Sequence, residues 1–68
     1  MQYQVTVNYG MDSMARYSDR PFTAGQLRAD RDLRTGLGYG DNTKFTLHGV
    51  ELADDTQIPH GATVVAET

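Results

Sequence analysis

Sixty-eight residues carrying a formal charge of −3 can build one small core and no more. Thirty-eight per cent are apolar; only thirteen are Leu, Ile, Val or Phe, so four Tyr and three Met must complete that core. The absence of cysteine excludes disulfides, thiolate zinc sites and a cysteine nucleophile, and a pI near 5.0 sets nucleic acid aside as the default partner. No run approaches the roughly 18 apolar residues of a membrane span, and no basic, apolar, small-residue leader opens the chain. The expectation is a soluble cytoplasmic domain covering residues 1–68.

Polar and apolar residues alternate strictly from Gln2 to Tyr9. Period two puts Tyr3, Val5, Val7 and Tyr9 on one face and Gln2, Gln4, Thr6 and Asn8 on the other, which predicts a strand with one wet face. Gly10-Met11-Asp12-Ser13 reads as a turn, and Met14–Ser18 as a second, more polar strand completing a hairpin. Pro21 has no N–H to give a ladder and ends that block.

Phe22-Thr23-Ala24-Gly25-Gln26-Leu27 predicts a helix start. Thr23 can cap, Gln26 completes a capping box, and Phe22 can staple against Leu27. Leu27, Ala29 and Leu33 do not make one stripe, so the reading is a helix from Ala24 to Asp30, then a second turn through Leu33 to Leu37. Gly36, Gly38 and Gly40 stop it. Alternation returns at Lys44–His48, with Phe45 and Leu47 inward. His48-Gly49 is a two-residue turn into Val50–Leu52. Asp54-Asp55-Thr56 is loop with Ile58 as a plug beneath it, Pro59-His60-Gly61 is a turn, and Ala62–Glu67 is the final strand. The order predicts an α+β fold in which the two terminal strands pair in parallel and the helix forms the crossover.

The stretch from Leu37 to Glu67 carries a Leu-Gly, then Phe45-Thr-Leu-His-Gly-Val-Glu, then Ile58-Pro-His-Gly-Ala-Thr-Val-Val. With the element order, it resembles the ubiquitin-like β-grasp superfamily, most of all the small sulfur-carrier branch of thiamine and molybdopterin synthesis. His48 and Ala62 stand where that branch has Asn and Asp. The resemblance implies a mixed sheet of four to five strands packed on one helix. Carriers act through a C-terminal Gly-Gly, whereas this chain reads Val64-Val65-Ala66-Glu67-Thr68. Carrier chemistry is therefore not the expected activity.

No catalytic constellation stands out, and neither a cofactor nor a metal is expected. His48 and His60 precede glycines in turns and lack a third ligand at metal-site spacing. Glu51, Asp54 and Asp55 lack the alternating oxygens and central glycine of a calcium loop. Gly36–Gly40 follows a helix and opens a strand, the reverse of a phosphate loop. Arg28, Arg31 and Arg34 recur every three residues and read as a solvated face balanced by Asp30 and Asp32.

The expected function is a non-enzymatic protein–protein interaction module: an adaptor, inhibitor or small accessory subunit of cellular or viral origin. A degenerate or processed sulfur carrier working with an adenylating enzyme is one alternative, and a structural subunit of a homo-oligomer another. The expected state is a monomer or weak homo-oligomer with an unidentified protein partner. Ubiquitin-like domains commonly bind through the outer sheet face, which the resemblance places at Gln4, Thr6, Lys44, Thr46, His48 and Val65.

Overall fold

The computed structural model describes residues 2–67; Met1, and the C-terminal reading at Thr68, lie outside them. Strand β1 (Tyr3–Tyr9) and strand β2 (Asp12–Ser18) form an antiparallel hairpin in which Tyr9 faces Asp12. Gly10 and Met11 alone make the turn, so β2 starts two residues earlier than the polarity of Asp12 and Ser13 suggests. Both are held in the strand by pairing, against their own turn propensity.

Strand β3 (Phe22–Thr23) leads into helix α1 (Ala24–Ala29), and helix α2 (Arg31–Leu37) follows after one residue. The capping box forms as expected: Thr23 Oγ1 accepts from the Gln26 N–H, and Gln26 Oε1 accepts from the Thr23 N–H, both at 3.2 Å. Asp30 leaves the helical conformation (φ −70°, ψ 110°), and its Oδ1 accepts from the N–H groups of Asp32 and Leu33 at 3.0 and 3.2 Å. Ending one helix and capping the next, Asp30 turns the axis so that Leu27 and Leu33 both reach the core despite their uneven spacing. Gly38 ends α2 at φ +90°, a left-handed cap that glycine takes without strain.

Strand β4 (Lys44–Leu47) and strand β5 (Val50–Glu51) follow as a second hairpin. His48 (φ 53°) and Gly49 (φ 80°) lie at its tip, both in the left-handed region that a type I′ turn requires. The two-residue turn expected at His48-Gly49 is thus present, and His48 belongs to it rather than to the end of the β4 alternation. Strand β6 (Gln57–Ile58) pairs with β3, a two-residue ladder that seats Ile58 in the core. Strand β7 (Ala62–Glu67) closes the main sheet, whose order is β2-β1-β7-β4-β5. The one parallel pair, β1 with β7, runs from Val5 opposite Ala62 to Asn8 opposite Val65, so the helical segment is the crossover expected for it.

The core lies between the sheet and the helices. Val5 and Val7 of β1, Phe45 of β4, and Val64 and Ala66 of β7 meet Leu27, Leu33 and Leu37 there. Tyr39, just after α2, is also core: it is 4% exposed, stacks edge-on with Phe45 and Tyr9, and donates its hydroxyl to the Leu27 carbonyl. The Leu27 carbonyl also accepts the Asp30 N–H at 3.3 Å, so the hydroxyl adds a second bond to it where α1 ends. Burial, with Asp30 nearby, pushes the Tyr39 phenol up to about 12.

Candidate functional site: the open face of the sheet

Both helices cover one face of the sheet and leave the other open to solvent. Alternation assigns the open face to Gln4, Thr6 and Asn8 of β1, Lys44 and Thr46 of β4, and Thr63, Val65 and Glu67 of β7. Register brings them side by side. Asn8, Val65, Thr46 and Glu51 form one row across four strands; Thr6 pairs with Thr63, and Lys44 with Glu67. Val65 is 40% exposed in the middle of this polar surface, with Asn8 and Thr46 as its direct cross-strand neighbours. Lys44 Nζ lies 4.0 Å from Glu51 Oε1 at the β5 side. Such a face offers hydrogen-bonding groups around one aliphatic side chain.

Of the six residues expected on this face, Gln4, Thr6, Lys44, Thr46 and Val65 are on it. His48 stands apart at the β4–β5 tip, because the I′ turn takes it out of the strand alternation. Asn8, Thr63 and Glu67 complete the surroundings of Val65; the same period-two pattern in β1 and β7 points to them. Tyr17, 60% exposed on β2, shares the face at its far edge and is opposite Gln4.

Two of the other polar residues singled out in the sequence, His60 and Asp54, do structural work. His60 Nδ1 accepts the Gln4 N–H at 3.0 Å, and the imidazole meets Tyr3 edge-on, tying the turn before β7 to the start of β1. The Asp54 carbonyl accepts the Gly25 N–H at 3.0 Å, and its carboxylate pairs with Arg28, so this acidic loop is docked on the first turn of α1. No group of three or more His, Cys, Asp or Glu side chains converges among the described residues.

The arginines do not form one stripe, because the break at Asp30 separates them. Arg28 turns inward: Nε and Nη2 donate to the Thr43 carbonyl at 3.0 and 2.9 Å, and the guanidinium lies 5.6 Å from the Phe45 ring centroid. Arg34 pairs with Asp41 at 2.6 Å, and Arg16 with Asp30 at 3.1 Å and Asp32 at 3.6 Å. Arg31 has no acidic partner among the described residues. It borders an open hollow of about 520 Å³ on the helical side, shared with Ala29, Arg34, Thr35 and Tyr39.

No family model and no curated protein matches this chain. Among solved structures it is similar to the solution NMR structure of a ubiquitin-like domain from an Arabidopsis thaliana protein. The TM-score is 0.71 at 20% identity, over 97% of this chain and 76% of that one. The fold is the ubiquitin-like β-grasp. At that identity the likeness concerns architecture alone, and it extends to no branch of the superfamily. No helix among the described residues is long and apolar enough to cross a membrane.

Proposed function

We propose that this chain is a non-catalytic ubiquitin-like module that binds a protein partner through the open face of its sheet. The observation that supports this reading is Val65, a half-exposed aliphatic side chain at the centre of an uncovered, hydrogen-bonding surface. An interface built around one such anchor is of modest size and dissociable. Gln4, Thr6 and Thr46 supply polar contacts, and Lys44 mainly orients the partner and speeds its encounter.

The test compares proteins retained from the native host by the immobilised chain with those retained by two variants. Val65→Glu is expected to abolish retention and Arg31→Glu to preserve it, with both variants giving the wild-type circular dichroism spectrum. The reverse pattern would move the site to the hollow beside α2. Arg31 is the suitable control, since changing Arg28 would break its bonds to Thr43.

A further inference from the structure

Strand β2 is an edge of the sheet, and β1 shows which of its backbone groups are free. Gln4, opposite Tyr17, sends its N–H to His60 Nδ1 at 3.0 Å and receives the Gly61 N–H on its carbonyl at 2.8 Å. Both partners belong to the β7 side. Bonded and non-bonded pairs alternate along an antiparallel ladder. Gln4–Tyr17 is therefore a non-bonded pair, as are Thr6–Ala15 and Asn8–Ser13. It follows that the N–H and C=O groups of Ser13, Ala15 and Tyr17 all point away from the sheet.

The usual guards of such an edge are missing. From Asp12 to Ser18 there is no Pro and no Lys, and the register with β1 is unbroken by a bulge. The one inward charge, Arg16, is already held by Asp30 and Asp32. The α2 residue that abuts Met14 at this edge is Gly36, which brings no side chain to the seam. Tyr17 is left 60% exposed on the same strand face as the small residues Ala15 and Ser13. Asp12 lies at one end of the strand and Arg20 just beyond the other, each without an ion-pair partner among the described residues.

We propose that β2 pairs antiparallel with β2 of a second copy about a two-fold axis at Ala15, joining the two sheets into one. In this register Ala15 faces Ala15 of the second copy, and Ser13 faces Tyr17. Every free N–H and C=O of the three residues then finds a partner, whereas a shift by two residues leaves a pair unmet at each end. The Tyr17 ring gains Ser13 opposite and Ala15 on the diagonal, both small enough to lie beneath it. The two-fold also brings opposite ends of the strands together, so Asp12 comes opposite Ser18 of the second copy and near Arg20 just beyond it, which follows Asp19 and has no ion-pair partner among the described residues. A foreign extended peptide could satisfy the backbone, but this chain's own strand supplies complementary charge at both ends. The contact is short, so the dimer forms only as concentration rises.

Sedimentation equilibrium and amide exchange of the full chain, from about 10 µM to about 1 mM, test the proposal. The expected result is a monomer–dimer equilibrium in which the amides of Ser13, Ala15 and Tyr17 exchange more slowly at higher concentration. Ala15→Pro removes only an outward N–H, which an edge strand tolerates, so its circular dichroism is retained while the dimer weakens at least about tenfold. Asp12→Arg weakens it through like charges, and Asp12→Arg combined with Arg20→Asp restores it. A wild-type chain that is monomeric at the upper concentration, with exchange at those amides unchanged, would overturn the proposal. So would a dimer indifferent to both Ala15→Pro and Asp12→Arg.

Discussion

Arg28 shows how one side chain can join three parts of this small fold. Its fork holds the Thr43 carbonyl, pairs with Asp54 and packs on Phe45, linking α1, the acidic loop and β4. A lysine keeps the charge but not the planar pair of donors. Arg28→Lys is expected to lower stability by ~1–2 kcal/mol, read as an earlier midpoint in denaturant melts. Tyr39 makes a second such link through its bond to the Leu27 carbonyl. Its phenol titrates near 12 in the folded chain against 10.0 for an ordinary tyrosine, because burial disfavours the anion. The proton is held more tightly when folded, so this stabilisation is complete below pH 10 and drains away as pH rises through 12. Across that window, the wild type should lose stability relative to Tyr39→Phe, by up to about 1.4 kcal/mol per pH unit. Parallel melting curves for the two chains from pH 9 to 12 would assign the alkaline loss elsewhere. Sequence spacing gave no sign of either role: both depend on the chain returning from residues 12 to 26 positions away.

At the scale of elements, the strongest sequence patterns became the best-defined structure. The alternation in β1 and β7 marked both inner faces correctly, and Val5, Val7, Val64 and Ala66 are all buried. Val5→Asp should therefore unfold the domain or cost it several kcal/mol, since it buries an unpaired carboxylate, while Thr6→Asp on the open face is tolerated. Thermal melts that coincide for the two variants would contradict the assignment of faces. The capping box at Thr23 and the glycine stop at Gly38 were also legible, because each is a local device with its own residue types. The β3–β6 ladder was not. Two residues are too few for a period, and Ile58 is placed by its pairing with Phe22 across the molecule. His48 carried two readings on paper, the end of the β4 alternation and the first residue of a two-residue turn with Gly49; the structure takes the second, which removes it from the open face.

For the whole molecule, the sequence indicated the topology better than the job. The two hairpins, the parallel closure and the helical crossover follow from patterning, and the likeness to the Arabidopsis ubiquitin-like domain agrees with the fold. The candidate face was readable in part. Parity along each strand shows which residues point out, but the cross-strand register, which makes Asn8, Val65 and Thr46 neighbours, is a property of the folded sheet. Net charge is no guide to the binding surface either, since most arginines are already matched to acids. The central claim is that partners dock on the open face, and the most direct measurement is an amide chemical-shift map of the isotope-labelled chain titrated with a retained partner. The account predicts shifts gathered on Gln4, Thr6, Lys44, Thr46 and Val65, with Ala29, Arg31 and Thr35 unmoved. Shifts gathered on those three helical residues, with Val65 silent, would contradict it.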